Sequence, residues 1–257
     1  MNMHVVHDGD RQAPPMLLVH GSGAAGSSWN PVVPALAAHR HVIRVDLPGC
    51  GQSPPAGSYD VPAQAARVAA LLDHLGVGPV TAAGHSSGGY LVTALAERRP
   101  DLVASLALIS TGPSVEAMLP EPMLLRMLMA PPIGPLLWSA RTDTMIRAGI
   151  RSTAVQPVDI GDDWIGDLRA VRYRDFRAVL REYTAYLAAR SVPDRLTPLG
   201  IPLLAIFGDA DPRWNPDHAF HYESVPGAHL EMLAGIGHLP MAEAPSRIVD
   251  LLLTVRR

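Results

Sequence analysis

Apolar runs of strand length alternate with stretches of helical periodicity in this chain, stop, and later resume. That interrupted alternation limits the possible fold more than any other feature. Met16–His20 reads as a buried strand, and Trp29–Ala38 as a helix with Pro31 in its first turn, where a missing N–H is tolerated. His41–Leu47 is a second strand, stopped by Pro48-Gly49. Val61–Leu75 carries Val61, Ala65, Val68, Leu72 and Leu75 on one helical stripe. Val80–Gly84 is a third strand, Ser86–Arg99 a helix and Val103–Ser110 a fourth strand. Repetition of this kind predicts the α/β class: a doubly wound, mostly parallel sheet with helices on both faces.

Between Thr111 and Pro198 no strand run occurs. The segment has Pro clusters and two helical stretches, Val115–Met129 and Trp164–Ala189. The second places Phe176, Leu180, Tyr183 and Leu187 at helical spacing, with Arg172, Arg174, Arg177 and Arg181 mostly off that stripe, as a solvated face. From Pro202 the alternation resumes with strand Leu203–Phe207, a loop and helix, strand Ala228–Leu233 and a closing helix Ser246–Val255. A helical segment inserted into a sheet domain packs over the strand ends where ligands bind, and loops this long are rarely idle. The expected organisation is a core of residues 1–111 and 199–257 with a helical cap at 112–198. Met118, Met123, Met127, Met129, Leu136, Leu137, Trp138 and Met145 are candidates for an apolar, adaptable roof, or for the glue between cap and core.

Length and composition set the outer bounds. A chain of 257 residues, 48% hydrophobic and 18% charged, can bury one large core. The net charge of −3 leaves no dense positive face, so no nucleic-acid partner is expected. All 21 basic residues are Arg, which together with the Ala, Pro and Gly richness reads as coding bias. Cys50 stands alone, which excludes an internal disulfide and a cysteine-based metal cluster. Met1-Asn2-Met3-His4 lacks a basic end followed by an apolar run, and no apolar stretch reaches bilayer-spanning length. A cytoplasmic protein acting on a small molecule, with no membrane partner, is the expectation.

Gly84-His85-Ser86-Ser87-Gly88-Gly89 falls where a strand ends and a helix begins. So sharp a turn strains its central residue and lifts Ser86 above the sheet, with Gly84 and Gly88 leaving room for neighbouring backbone. A hydroxyl needs a base. His238, in Gly235-Ile236-Gly237-His238-Leu239-Pro240, follows the last strand on the same sheet edge; His221 and His229 read as structural, and His85 as pointing away from the pocket. The base in turn needs an acid to orient it. In Phe207-Gly208-Asp209-Ala210-Asp211-Pro212, Asp211 lies far enough out to reach the ring, and Asp209 reads as a turn former. Beyond Ser110, the other place for an acid, Glu116 seats itself at a helix start.

The order Ser, Asp, His is that of the α/β-hydrolase superfamily, and further motifs carry the resemblance. His20-Gly21-Ser22-Gly23 resembles that family's oxyanion loop. Asp46-Leu47-Pro48-Gly49-Cys50-Gly51-Gln52-Ser53 is similar to its D-x-P-G-x-G-x-S turn, and Gly237-His238 through Glu243-Ala244-Pro245 to its G-H-x-x-x-x-E-x-P ending. The resemblance implies an α/β-hydrolase fold with an inserted helical cap. It implies oxyanion donors at the backbone N–H groups of Ser22, rather than Gly23, and Ser87. His20 would be a brace for its loop and Cys50 a bystander. Family members often begin with two antiparallel strands; only Met3–His7 precedes the Gly9 turn, so the first edge strand is expected to be missing. The implied reaction is hydrolysis of a small, largely apolar carboxylic ester through an acyl-enzyme, with no cofactor and no metal. The alternatives are a carbon–carbon bond hydrolase of the ring-cleavage type and a slow-turnover small-molecule receptor on the same scaffold. Against the ring-cleavage type stand Ala24-Ala25, His85 and Leu239, where that group has Pro-Gly, Asn and Trp.

Overall fold

The computed structural model of the chain describes residues 3–255, apart from 121, 122, 124, 125, 128 and 129. Its strands are β1 (Val5–Asp8), β2 (Pro15–Val19), β3 (His41–Val45), β4 (Val80–His85), β5 (Val103–Ile109), β6 (Leu203–Gly208) and β7 (His229–Leu233). They form one sheet in the order β1-β3-β2-β4-β5-β6-β7. β1 runs antiparallel to β3, pairing Val5 with Val45 and Asp8 with Val42, and every other pair is parallel. Among the described residues no strand lies outside β1, so a single antiparallel strand forms that edge. The chain leaves β2 toward β3 on one side and returns to β4 on the other. The ends of β2 and β4 therefore flank a topological switch point, the crevice in which open α/β sheets bind their ligands.

Helices α1 (Val33–Ala37), α2 (Val61–Leu75) and α3 (Ser87–Arg98) belong to the first half of the sheet domain. α2 has the bounds its stripe predicts. Asp60 caps it by accepting from the Ala63 N–H at 2.9 Å, and Gly76 ends it in the left-handed conformation. Successive strand residues point to opposite faces, and the core divides accordingly. Leu17, Val19, Ile43 and Val45 pack with Val68 and Leu72 of α2 and Leu91 and Leu95 of α3. Met16, Leu18 and Val42 pack with Trp29, Leu36, Ile248 and Leu252. Full burial stabilises each such side chain by about 1.5–3 kcal/mol, so both faces contribute heavily.

The long insertion between β5 and β6 is helical: α4 (Ile133–Ser139), α5 (Asp143–Arg151), α6 (Asp162–Ala170), α7 (Tyr173–Ala189) and α8 (Val192–Leu196). It feeds both halves of the core, with Tyr183, Tyr186 and Leu187 joining one and Ile146, Ile150 and Trp164 the other. α9 (Pro240–Glu243) and α10 (Pro245–Thr254) close the chain.

Three helical expectations need correction. Trp29–Ala38 is not one helix: a 3-10 turn, Gly26–Trp29, is followed by α1, because Pro31 and Pro34 cannot donate through the segment. Trp164–Ala189 is broken at Val171-Arg172, whose backbones are extended. The Val171 carbonyl is drawn out of helical pairing to accept from Trp138 Nε1 at 2.8 Å and from Arg141. In Val115–Met129 the described part begins as the short turn Val115–Ala117, and Met118 then makes a lone bridge to Trp214; part of the rest lies outside the described residues.

Candidate catalytic site

Ser86 sits between β4 and α3 with φ 53° and ψ −122°, a positive φ that costs a non-glycine residue about 1–3 kcal/mol. The surroundings hold it there. Its N–H donates to the Ile109 carbonyl at 2.8 Å, and Thr111 Oγ1 donates to its carbonyl at 2.9 Å. The two glycines are obligatory by contact. A Cβ on Gly84 would lie 2.5 Å from the Gly88 carbonyl group, and one on Gly88 would lie 2.4 Å from the Val19 oxygen.

The residues singled out in the sequence come together. Ser86 Oγ stands 3.1 Å from His238 Nε2, and His238 Nδ1 stands 2.8 Å from Asp211 Oδ2. A carboxylate can only accept, so Nδ1 carries the ring proton and Nε2 presents a lone pair to the Ser86 hydroxyl. The Asp211 side chain is fully enclosed, and its other oxygen accepts from the Arg213 N–H at 2.8 Å, which fixes the carboxylate plane. Asp209 is elsewhere: it accepts from the Gly235 N–H at 2.7 Å and shapes the loop. Ser22 Oγ and Ser87 Oγ share a hydrogen bond of 2.8 Å, which draws the loop after β2 against the first turn of α3. Gly21 packs directly on Ser86, where a Cβ would come within 3.2 Å of its side chain. The N-terminal N–H groups of a helix lack intrahelical partners and carry partial positive charge, so this junction suits a developing oxyanion.

Around this centre the other motifs act as supports. His20 Nδ1 donates to the Gly21 carbonyl at 2.8 Å while its Nε2 accepts from the Leu47 N–H at 2.9 Å. Burial lowers its pKa, which keeps the accepting nitrogen free. Asp46 accepts from the N–H groups of Gly26 and Gln52 and from His4, tying the Asp46–Ser53 turn to the loop after β2. Cys50 is buried, and burial, reinforced by Asp46, pushes its thiol up to about 12. It is no nucleophile at neutral pH.

His85 and the roof candidates take places that the sequence did not indicate. His85 lies behind His238, not clear of it: its Nε2 donates to the His238 carbonyl at 2.8 Å and the rings lie 5.1 Å apart. Burial, with His238 nearby, lowers its pKa to about 3, so it stays neutral. Of the proposed roof, Met118, Met123, Met127, Leu136 and Met145 are exposed, and Met129 lies outside the described residues. Leu137 and Trp138 are half-buried, and Trp138 stacks on Phe176 with centroids 4.8 Å apart. The insertion reaches the loop after β2 through Phe176 and Leu168, each about 3 Å from where a Gly23 Cβ would stand. Trp214 closes over Gly112 in the same way. Helical spacing singles out Phe176, but Leu168 and Trp214 carry no signal in sequence that points to these contacts. Among the described residues no cluster of three or more His, Cys, Asp or Glu could hold a metal ion, and no helix is long and apolar enough to cross a membrane.

Comparison with known proteins agrees with this architecture. Residues 14–134 match the family model described as alpha/beta hydrolase fold. The pimeloyl-[acyl-carrier protein] methyl ester esterase of Aeromonas hydrophila subsp. hydrophila is 31% identical over 258 residues, covering 94% of this chain and 94% of the relative. An uncharacterised protein of Mycobacterium tuberculosis is also 31% identical, over 93% of this chain and 74% of its own length. Among solved structures, the carboxylesterase CesB of Bacillus subtilis superposes with a TM-score of 0.75 at 22% identity, over 98% of this chain and 87% of its own. The epoxide hydrolase CorEH does so at 0.81 and 24%, over 98% and 94%, which shows that the fold alone does not select the chemistry. With its sheet order, its switch point and a relative matched over 94% of both chains, the chain belongs to the alpha/beta hydrolase fold family.

Proposed function

We propose that the protein is a serine hydrolase that cleaves a small, largely apolar carboxylic ester. The observation that carries this reading is the relay of 3.1 Å and 2.8 Å from Ser86 through His238 to the enclosed Asp211. Ser86 Oγ attacks the ester carbonyl as its proton passes to His238 Nε2, and Asp211 stabilises the imidazolium that forms. The oxyanion is held by the backbone N–H groups of Ser22 and Ser87; losing one such donor typically costs about 3 kcal/mol. His238 then returns the proton to the leaving alcohol. Water, activated by the same ring, attacks the acyl-Ser86 carbonyl and regenerates the hydroxyl. Segment 112–198 acts as a cap over this site, with Phe176 and Leu168 packed against Gly23 in the loop after β2.

Ester chemistry is favoured over epoxide opening because a serine stands at the elbow, where epoxide hydrolases of this fold use Asp. The A. hydrophila relative is named for a methyl ester substrate, which points the same way. A panel of p-nitrophenyl esters of increasing acyl length, run beside one ring-cleavage dienoate, tests the reading. Multiple turnover of esters, with kcat within ~1–10³ s⁻¹, is expected. Turnover of the dienoate alone would replace ester hydrolysis by carbon–carbon cleavage, and consumption of one equivalent without turnover would indicate a receptor.

A further inference from the structure

Four backbone N–H groups converge on one carboxylate beside the candidate base. Glu243 Oε2 accepts from Gly237 at 2.9 Å, Val155 at 2.7 Å and Gln156 at 3.0 Å, and its Oε1 accepts from Leu239 at 3.0 Å. Gly237 and Leu239 flank His238 in the chain. Val155 and Gln156 belong to the helical insertion, just beyond α5. The same stretch also holds the base directly, since the His238 N–H donates to the Thr153 carbonyl at 2.8 Å. The packing leaves no slack: a Cβ on Gly237 would stand 2.8 Å from the Thr153 oxygen and 3.1 Å from Glu243 Oε1.

A carboxylate only accepts, and here Oε2 is shared by three donors and Oε1 takes the fourth. Bonds to a charged acceptor are roughly twice as strong as neutral ones, so this knot is stiffer than an ordinary loop contact. Two of its strands lead to His238 and two to the insertion. Two further bonds join the same segment to the loop, His238 N–H to the Thr153 carbonyl and Gln156 Nε2 to the Gly235 carbonyl, each at 2.8 Å. Among the described residues, Glu243 is the one side chain that bonds to both neighbours of the base and to the insertion at once.

We propose that Glu243 is a positioning residue that locks the His238 loop to segment 153–156 of the insertion. Glu243 touches no reacting atom. The base keeps its reach to Ser86 while that segment is docked, and undocking the segment releases the base. The helical insertion thereby governs the competence of the base as well as access to the site. The inference rests on reading His238 as the base.

Glu243→Gln keeps the shape but turns an amide NH₂ toward N–H donors. With kcat counted per Ser86 titrated by a fluorophosphonate, it should lower kcat roughly 10- to 100-fold and leave KM within about twofold. Loss of fold alone would reduce the titrated fraction and leave kcat per site unchanged. Val155→Pro removes one donor from the insertion side. It should lower kcat per site in the wild-type background and have no further effect in Glu243→Ala, where no acceptor remains. A third readout needs no substrate: the ¹H NMR resonance of the His238 Nδ1–H, bonded to Asp211, should broaden in Glu243→Gln. That arm separates this inference from the ester reading, since it responds even if no ester is turned over. A folded Glu243→Gln with wild-type kcat per site and an unchanged resonance would overturn the proposal. So would a Val155→Pro effect of equal size with and without Glu243.

Discussion

Gly84→Ala adds one methyl group at a place where the structure has no room for it. The new Cβ would lie 2.5 Å from the carbonyl carbon and oxygen of Gly88 and 2.6 Å from the Gly89 nitrogen, where ordinary contact begins near 3.4 Å. All three atoms are backbone of the first turn of α3, so no side chain can rotate aside. α3 must retreat from β4 by roughly 1 Å, and overpacking of this kind costs about 1–3 kcal/mol. For a chain of this size that lowers Tm by roughly 2–12 °C. The larger effect falls on the chemistry. Ser86 lies between the clashing elements, 3.1 Å from His238 Nε2, and a misplacement of about 1 Å costs on the order of 10² in rate. Gly166→Ala is the control: it sits within α6 with nothing within 4 Å of its Cβ. It should leave kcat unchanged and stabilise the protein by up to about 1 kcal/mol. Thermal unfolding and ester turnover normalised to titratable Ser86 give both quantities. A Gly84→Ala protein with unchanged Tm and kcat within threefold of wild type would refute the reasoning about the elbow.

Other outcomes follow from the same geometry. Asp211→Asn replaces the carboxylate by an amide, which loses the charge and lets an NH₂ favour the wrong tautomer of His238, and should lower kcat by about 10⁴-fold, whereas Asp209→Asn, which only loosens a turn, should change it less than tenfold; the reverse order in steady-state assays would reassign the acid. Burial lowers the His85 pKa from 6.5 to about 3, so between those values the unfolded chain binds a proton the folded one does not, and stability falls as pH falls. At pH 5 the loss from this residue is about 2 kcal/mol relative to pH 7, read from urea unfolding, and His85→Asn should flatten that slope. With its thiol held up to about 12, Cys50 should resist iodoacetamide in the folded protein at pH 8 and react once urea unfolds it. Rapid native alkylation with loss of activity would contradict its bystander role.

The parts of this molecule legible in sequence are those where one physical rule acts nearly alone. The bounds of α2 follow from Asp60, the apolar stripe and Gly76, because capping and periodicity agree there. Ser86, Asp211 and His238 could be named because each lies at a strand end on one sheet edge, and parallel topology brings those ends together. The break at Val171 was not legible, since it depends on Trp138 and Arg141 reaching the carbonyl from about thirty residues away. Nor was the placing of the methionines. An apolar side chain in a helical insertion reads as roof or glue, yet five of the seven described candidates, Met118, Met123, Met127, Leu136 and Met145, are exposed. Strand alternation turns His85 away from the pocket; that its ring meets the His238 carbonyl depends on how the last loop folds back, which no local pattern encodes.

The central claim is that Ser86 is the activated nucleophile, and covalent labelling tests it most directly. A fluorophosphonate probe incubated with the native protein at pH 7.5, followed by digestion and peptide mapping, should place one adduct on Ser86 in the Gly84–Gly89 peptide. Ser86→Ala should abolish labelling, and Asp211→Asn should slow it by orders of magnitude without moving it. Labelling that persists in Ser86→Ala, or an adduct on Ser22 or Ser87 in the wild type, would contradict the account.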